Sequence, residues 1–479
     1  MNVSSFLHKS ALNFPHHIAI HDEYGDLSYM ELSTAVKDCA ILLKQFGIGK
    51  QNSVGVMGRN SRGFIIMSFA VMETDAVVMP IASHITNEEF IEILNSAKLQ
   101  YIIHDQTKIP SFDNSKIIKV KGAGEIWNLR KNTKVPDEYI FAAHVPKAAL
   151  VRFTSGTTGI SKGVILSHKS IAERTEAANN ILKLNETDKV MWVLSMAYHF
   201  VVSIILYIRY GCAIIINHDF LASTLLKEIQ FYGATFLYAS PMHLRLLSSD
   251  ATQLKMSSIK SVISTSTSIT KDQCELFFRR FNIAVSQAYG IIEIGLPVIN
   301  FQKAGEKPDA IGYAVPGYEV EILNDDGVVL PAGHIGHLAM RGPGMFDAYL
   351  NPPQLREDIL KNGWFMTGDL ATKDEEGCIR VEGRLKSMIN VAGNKVFPEE
   401  VEAVINQHPV VYQCRVSGYM HKLLGECVGV EIVARENVNI PSMEELRKFC
   451  LERLSSYKVP QKIIYVENLE MTGSGKLKR

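Results

Sequence analysis

Short apolar runs of strand length alternate with helix-length periodic segments through the first part of the chain. Strand-like runs occur at 53–57, 76–80 and 101–104, and helical periodicity occurs at 64–73 and 87–97. This alternation is typical of α/β proteins, in which helices cover a largely parallel sheet. The sequence therefore predicts an α/β fold for the N-terminal part of the chain.

The pattern changes twice toward the C-terminus. After Gly312, short strand-like runs are joined by Gly, Pro and Asp-Asp-Gly turns, which predicts a β-rich subdomain. After Gly383, helix-like segments at 398–407 and 442–454 flank two further strand-like runs, which predicts a compact α+β domain.

The length of 479 residues exceeds what one hydrophobic core usually serves. We therefore expect two domains. The first, residues 1–385, would hold two α/β subdomains plus the β-rich subdomain, and the second, residues 386–479, would be a small mobile α+β domain.

Composition excludes several classes of partner. Lys plus Arg and Asp plus Glu balance at 50 each, so no whole-molecule field attracts nucleic acid or an anionic membrane. The N-terminus lacks the pattern of a secretory signal, and the most apolar stretch, 191–216, is interrupted by polar residues, which favours buried core over a membrane span. The seven cysteines show no paired spacing, which argues against a zinc site or disulfide framework and favours a cytoplasmic protein.

The stretch RFTSGTTGISKGV, residues 152–164, concentrates hydroxyls, glycines and one lysine between two strand-like runs. Glycines permit positive φ and a close backbone approach, while hydroxyls and Lys162 can bind phosphate oxygens. The stretch does not match the P-loop pattern G-x-x-x-x-G-K-[ST]. The residues alone leave two interpretations open, a phosphate-binding loop or a solvated turn.

The same stretch resembles the phosphate loop of the adenylate-forming superfamily, which includes acyl-CoA synthetases, nonribosomal-peptide adenylation domains and firefly luciferase. The chain most resembles the acyl-CoA synthetases, because further motifs of the family recur in order along it. These motifs are 27–32 (LSYMEL), 289–293 (YGIIE), 336–344 (GHLAMRGPG), 367–369 (TGD), 383–390 (GRLKSMIN), 457–460 (YKVP) and 474–476 (SGK).

The resemblance implies that a carboxylic acid reacts with ATP to give acyl-AMP and pyrophosphate, and that a pantetheine thiol then takes the acyl group. Mg²⁺ would accompany ATP, held by Thr158 and Glu293, and Lys162 would contact the phosphates. The phosphate loop would comprise Thr154, Ser155, Gly156, Thr157, Thr158, Gly159, Lys162 and Gly163.

The resemblance also assigns residues to the nucleoside. Asp369 would accept hydrogen bonds from the ribose hydroxyls, and Arg384 would contact ribose or phosphate. Tyr289, followed by Gly290, would stack on adenine. Taken singly, these residues equally fit a turn, a surface ion pair and a core tyrosine.

Three further residues are assigned to the C-terminal domain. Lys476 would be the mobile lysine that approaches the carboxylate and α-phosphate, although its position also suits a disordered basic tail. Lys386 would be the hinge about which the domain rotates, and Gly393 would line the channel for the thiol.

The chain departs from the family pattern at two places that affect its substrate. Ile292 replaces a Thr that bonds the α-phosphate, and 264–268 (STSTS) replaces a glycine- and alanine-rich segment, so that Thr265 and Ser266 narrow the acid pocket. His199 stands where amino-acid-activating members have an ammonium-binding Asp. With Ile291 and Ile292 as apolar walls, these residues predict a short or medium acyl acid or an aryl acid.

Three functions remain open from the sequence: an acyl-CoA synthetase that uses CoA, a ligase that loads an acyl-carrier protein, and a catalytically impaired nucleotide-binding member. The first is the leading hypothesis. Gly393, which has no side chain to block a thiol arm, favours thioester formation over adenylation alone, but no basic site specific to CoA distinguishes the first function from the second.

Overall fold

A computed structural model describes residues 1–105, 115–119, 126–154, 162–217, 221–391, 394–421, 425–436, 438–471 and 477. The chain packs as two compact units. The first comprises Met1–Glu319 with Arg341–Gly363, and the second comprises Val320–Met340 with Trp364–Arg479.

Several helices begin at side chains that cap free backbone N–H groups. Ser28, Thr86 and Ser442 each form a capping box with the glutamate three residues on. The α-helices are α1 Ser4–Asn13, α2 Tyr29–Gln45, α3 Arg62–Glu73, α4 Asn87–Ala97, α5 His168–Leu182, α6 Leu206–Arg209, α7 Ala222–Tyr232, α8 Pro241–Ser248, α9 Lys271–Phe281, α10 Arg356–Ile359, α11 Pro398–Ile405 and α12 Met443–Leu451. In the described part of the chain, no helix has the length and apolar content needed to span a bilayer.

The strands confirm the predicted alternation. They are β1 Ile18–Asp22, β2 Gly25–Ser28, β3 Ser53–Gly58, β4 Val77–Ala82, β5 Tyr101–His104, β6 Ser115–Lys119, β7 Ile126–Lys131, β8 Ala148–Thr154, β9 Lys162–Ser167, β10 Lys189–Trp192, β11 Ala213–Ile216, β12 Phe236–Ala239, β13 Ser261–Ser264, β14 Val285–Ile291, β15 Gly295–Ile299, β16 Tyr313–Ala314, β17 Glu319–Leu323, β18 Gly336–Arg341, β19 Ala348–Tyr349, β20 Gln354–Leu355, β21 Phe365–Lys373, β22 Ile379–Arg384, β23 Ile389–Val391, β24 Asn394–Val396, β25 Val411–His421, β26 Gly425–Ala434 and β27 Lys462–Tyr465.

Two large sheets organise the first unit, as the prediction of two α/β subdomains requires. One has the strand order β16-β15-β14-β13-β12-β10-β11-β1-β2 and the other β20-β19-β9-β8-β4-β3-β5-β7-β6. The central strands of each pair in parallel, while hairpins add antiparallel strands at the edges. Because parallel strands are covered on both faces, their residues are apolar throughout: every residue of β4 is buried.

The segment 191–216 is core, as predicted. It contains β10, a π-helical turn Phe200–Ile205, α6 and β11. Trp192 and Tyr207 are fully buried, while His199 is partly exposed just before the π-helical turn. π-helical turns interrupt the regular ladder and are frequent at functional sites.

The second unit contains three smaller sheets, in the orders β17-β18-β21-β22, β23-β24 and β25-β26-β27. Helices α11 and α12 supply Val401, Ile405 and Leu446 to a core built on β25 and β26. The predicted β-rich region and terminal α+β region both form; the second unit includes the terminal region and the parts of the β-rich region at 320–340 and from 364 onward. A hinge-type boundary at 385/386 stays a prediction.

Candidate active site

Strands β8 and β9 form an antiparallel hairpin whose last pair is Thr154 opposite Lys162. The predicted hairpin is therefore present, and it places both ends of the loop stretch beside each other. The loop predictions at Ser155, Gly156, Thr157, Thr158 and Gly159, and the side chain of Thr154, lie outside the described residues.

The hairpin divides its side chains between two faces of the sheet. Alternation and register place Arg152, Lys162 and Tyr349 on one face, because Val164 lies opposite both Arg152 and Tyr349. The other face carries Val151, Phe153, Ile165, Ala348 and Leu350 into the apolar core. The charged and polar side chains of Arg152, Lys162 and Tyr349 therefore share one face with the buried Val164, while the other face packs in the apolar core.

Gly163 lies on the face that packs in the apolar core, and its predicted contact with a phosphate stays a prediction. It is extended within β9 and lies outside the left-handed region. A Cβ on Gly163 would lie 3.0 Å from Cβ of Leu350 and 3.2 Å from the Phe153 ring. Packing against Leu350 and Phe153 therefore explains why a glycine occupies this position.

Lys162, Tyr349 and Glu293 form a continuous polar chain on the first face. The Lys162 ammonium lies 4.7 Å from the centre of the Tyr349 ring, and the Tyr349 hydroxyl donates to Oε1 of Glu293 at 3.4 Å. Burial and the Glu293 carboxylate both raise the pKa of Tyr349. The hydroxyl therefore stays protonated and can keep donating to the carboxylate.

Glu293 lies in the turn between β14 and β15, and not at the start of a helix. Burial raises the pKa of its carboxyl group, and the positive charges of Arg152 and Arg174 oppose that shift only in part. A cation that binds next to this carboxylate would therefore stabilise its charged form.

The turn that carries Glu293 is fixed by a buried arginine that the sequence analysis did not identify. Arg174 on α5 is 1% exposed, and it donates from Nη1 to the Ile292 carbonyl at 2.9 Å and from Nε to the Gly344 carbonyl at 2.8 Å. Burial lowers the pKa of Arg174 to about 10, so that it remains a cation at neutral pH.

Two glycines leave the space that Arg174 occupies. A Cβ on Gly344, at φ +67°, would lie 2.5 Å from the backbone nitrogen of Arg174. A Cβ on Gly295, at φ +114°, would lie 3.3 Å from Cβ of Arg174. The Phe346 N–H also donates to the Glu293 carbonyl at 2.7 Å. Arg174 thus joins α5, which follows the Lys162 strand, to the Glu293 turn.

Replacing Arg174 by methionine should lower the free energy of unfolding by about 3 kcal/mol, because two buried carbonyls lose their donors. Arg174→Lys should lower the free energy of unfolding by less, because lysine keeps the charge. It should still be less stable than the wild type, because lysine cannot donate to both carbonyls in the geometry of a guanidinium. Urea unfolding measures both, with Arg279→Met as the control at an exposed position of α9. Equal stability of the Arg174→Met and Arg279→Met proteins would contradict the assigned role.

Tyr289 and Gly290 lie near the end of β14, one strand from Ser264 at the end of β13. Tyr289 is partly exposed. A Cβ on Gly290 would lie 2.8 Å from the Gly295 carbonyl oxygen, so the glycine permits the irregular pairing of β14 with β15. The stacking of Tyr289 on adenine stays a prediction.

Of the residues predicted to line an acid pocket, Ser266 contacts His199. Its Nε2 lies 3.3 Å from the Ser266 hydroxyl, and its ring packs edge-on against Trp192 and Tyr238. Burial raises the pKa of Tyr238, and the nearby Thr265 opposes that shift. Ile292 is 7% exposed, and Ile291 is partly exposed.

The second unit contains the predicted ribose site. Asp369 is 5% exposed and lies opposite Arg384 across β21 and β22, with Arg384 Nε 3.0 Å from Asp369 Oδ1. The Thr367 hydroxyl accepts from the Asp369 N–H at 3.1 Å, across Gly368 at φ +81°. Lys386 is exposed in the 3₁₀ turn Leu385–Ser387. Gly393 and Lys476 lie outside the described residues.

Comparison with known families decides the identity of this arrangement. Residues 7–350 match the family described as AMP-binding enzyme, and residues 400–476 match the AMP-binding enzyme C-terminal domain. The chain belongs to the AMP-binding enzyme family.

Curated relatives of this AMP-binding enzyme match along its entire length. It is 26% identical to an oxalate–CoA ligase of Arabidopsis thaliana, over 100% of this chain and 97% of the relative. It is 27% identical to a 2-succinylbenzoate–CoA ligase of Bacillus cereus, over 99% of this chain and 97% of the relative.

Solved structures confirm the predicted fold. The o-succinylbenzoate CoA synthetase (MenE) of Bacillus subtilis, in complex with its acyl-adenylate intermediate, superposes with a TM-score of 0.86 at 24% identity, over 98% of this chain and 96% of that chain. ATP-bound MatB of Rhodopseudomonas palustris gives a TM-score of 0.84 at 22% identity, over 100% and 97% of the two chains.

The AMP-binding enzyme has one described acidic residue suited to a magnesium ion at the predicted position. Within the described ranges, no group of three or more His, Cys, Asp and Glu side chains collects. Mg²⁺ is commonly held by one or two carboxylates together with substrate phosphates and water. Glu293, a carboxylate whose charge is disfavoured by burial, fits that arrangement, while its predicted partner Thr158 lies outside the described residues.

Proposed function

We propose that this protein activates a carboxylic acid with ATP, releasing pyrophosphate, and transfers the acyl group of the resulting acyl-AMP to the thiol of CoA. The full-length match to AMP-binding enzymes, among whose relatives are named CoA ligases, is the observation that carries the proposal. The Lys162, Tyr349 and Glu293 chain supports it, because it combines a cation and a carboxylate beside the predicted phosphate loop.

In the first reaction a carboxylate oxygen forms a bond to the α-phosphorus of ATP, and the bond from that phosphorus to pyrophosphate breaks. Negative charge moves onto the leaving pyrophosphate, so Lys162 acts by binding its oxygens. Glu293 and Thr158 would hold Mg²⁺, which neutralises phosphate charge when it is bound. Tyr349 fixes the Glu293 carboxylate by its hydrogen bond.

In the second reaction the thiol loses its proton to water, its sulfur forms a bond to the acyl carbon, and AMP leaves with the electron pair of the broken acyl–oxygen bond. Asp369 and Arg384 would hold the ribose in this step as in the first. We place the hinge for the change between the two reactions at Lys386 and the thiol channel at Gly393, with residues 386–479 as the moving domain.

The acid is proposed to be a short or medium acyl acid or an aryl acid without an α-ammonium group. Apolar Ile291 and Ile292, together with Trp192 and Tyr238 around His199, favour an uncharged tail. The seven cysteines are all free and buried, which supports a location in a reducing compartment such as the cytoplasm.

Acid-dependent ATP–pyrophosphate exchange tests this function. The purified protein would be assayed with acetate, hexanoate and benzoate, and acylated products would be identified by mass spectrometry after addition of CoA or of a holo-acyl-carrier protein. We expect exchange that requires acid, followed by an acyl-CoA. An acylated carrier protein without acyl-CoA would move the acceptor to a protein. Absence of exchange and of pyrophosphate release with every acid would favour an impaired nucleotide-binding member.

Replacing Ser266 by glycine should widen the range of acids. Ser266 has φ +79°, a conformation that costs a non-glycine residue about 1 kcal/mol or more, so glycine should also raise the melting temperature. The lost hydrogen bond to His199, at 3.3 Å, is long and offsets little of this gain. The ratio of kcat/KM for octanoate over acetate should rise; an unchanged ratio would show that Ser266 does not limit the pocket.

A further inference from the structure

Arg62 and Arg174 are arginines of the first unit that are almost completely buried, and their N–H groups have partners. Arg62 donates from Nε to Asp22 at 2.7 Å and also bonds the other Asp22 oxygen. Arg174 has carbonyl acceptors for Nε and both terminal nitrogens. A cation removed from water needs such partners, because burial without them is costly.

Arg152 has unused hydrogen-bonding capacity. Its Nη1 donates to the Tyr198 carbonyl, but its Nε is buried and has no acceptor among the described residues. No described carboxylate oxygen lies within 4.0 Å of its guanidinium. The adjoining loop, residues 155–161, contains no Asp or Glu that could supply one.

The residues around Arg152 place its unused N–H donor beside the residues proposed to bind ATP and the acid. It shares the sheet face of Lys162 and Tyr349, and the Glu293 charge is close enough to affect its pKa, which burial lowers. Tyr198, which accepts its hydrogen bond, directly precedes His199 of the acid pocket. Arg152 itself is partly exposed, so a bound anion can reach it.

We propose that Arg152 binds the reacting carboxylate of the acid substrate, an assignment that rests on the proposed function. A guanidinium presents two parallel N–H donors, which match the two oxygens of a carboxylate. The lysine predicted to approach the carboxylate, Lys476, belongs to the second unit, whereas Arg152 belongs to the first. The acid would therefore be held by the first unit before adenylation.

Kinetics of Arg152→Lys and Arg152→Met separate a carboxylate from a phosphate as the bound anion. For the acid that the wild type uses best among acetate, hexanoate and benzoate, Arg152→Met should raise KM by roughly 10- to 100-fold, since a charge-assisted hydrogen bond is lost. Arg152→Lys should be intermediate, and the KM for ATP should change by less than about twofold. Arg279→Met, the same change at an exposed position, should leave both values unchanged.

A rise in KM for ATP with an unchanged KM for acid would overturn the proposal and assign Arg152 to phosphate. Unchanged values for both substrates would overturn it as well. A wild-type protein that shows no exchange is a failure of the proposed function, and the inference is then decided by the melting temperature.

Thermal unfolding provides that independent measurement. Arg152→Met should raise the melting temperature of the free protein, because a partly desolvated charge without a carboxylate partner is removed. Added hexanoate should stabilise the wild type and not Arg152→Met. A lower melting temperature of the free variant, or an equal response of both proteins to hexanoate, would show that Arg152 is structural.

Discussion

Replacing Glu293 by glutamine should lower acid-dependent ATP–pyrophosphate exchange by roughly a hundredfold or more, as expected for loss of a metal-binding charge at a phosphoryl-transfer site. Glutamine keeps the side-chain length and an oxygen that can accept from the Tyr349 hydroxyl, so the local geometry is retained. Only the negative charge is lost. Raising the Mg²⁺ concentration should recover part of the exchange, because a neutral amide binds this cation more weakly than a carboxylate does.

The same variant should be more stable than the wild type at neutral pH. A carboxyl group whose pKa is raised on folding binds its proton more tightly in the folded state, so ionisation destabilises the folded protein above the unfolded pKa. Glutamine removes that cost. The difference in melting temperature should shrink as the pH falls below the ordinary pKa of glutamate, where both states are protonated.

Glu275→Gln is the matched control, because Glu275 is exposed on α9 and, among the described residues, its ion-pair partner is Lys271 at 3.8 Å. It should change neither the exchange rate nor its dependence on Mg²⁺. If Glu293→Gln retained wild-type exchange at limiting Mg²⁺, Glu293 would have no part in binding the metal.

Local patterns in the sequence predicted most of the elements. The strand 101–104 and the helix 87–97 form with the predicted bounds, because apolar periodicity and a capping Thr86 act within a few residues. The β8–β9 hairpin could be predicted equally well, because two apolar runs flank a stretch of Gly, Ser and Thr. The order of strands in the two large sheets depends on contacts between distant segments and was not predicted.

The site was predicted where motifs carry it and missed where tertiary contacts do. Arg174 lies in a helix with no distinguishing local pattern, and its role depends on carbonyls at Ile292 and Gly344, which are far away in sequence. Tyr349 likewise gains its role from Glu293. Arg152 could have been found, because strand alternation places it on the same face as Thr154.

Gly163 has a packing explanation that the sequence did not provide. The alternation of β9 turns this residue toward Leu350 and Phe153, where a Cβ would come within 3.0 to 3.2 Å of their side chains. Contact of its backbone with a phosphate stays a prediction.

Replacing Lys476 by alanine should lower ATP–pyrophosphate exchange by roughly 10²- to 10³-fold, the effect of removing a charge-stabilising group at the transition state. Transfer of the acyl group from supplied acyl-AMP to CoA should survive, because that reaction no longer requires charge stabilisation at the α-phosphate. Two separate assays measure these reactions on the same protein.

Met471 and Leu477 of the second unit pair as an antiparallel bridge, while Lys476 itself lies outside the described residues. Lys448→Ala, an exposed lysine on α12 of the same unit, is the control and should leave both reactions unchanged. Equal losses of exchange and thioester formation in Lys476→Ala would assign this lysine to folding or to nucleotide binding, because a residue specific to adenylation cannot slow both reactions alike.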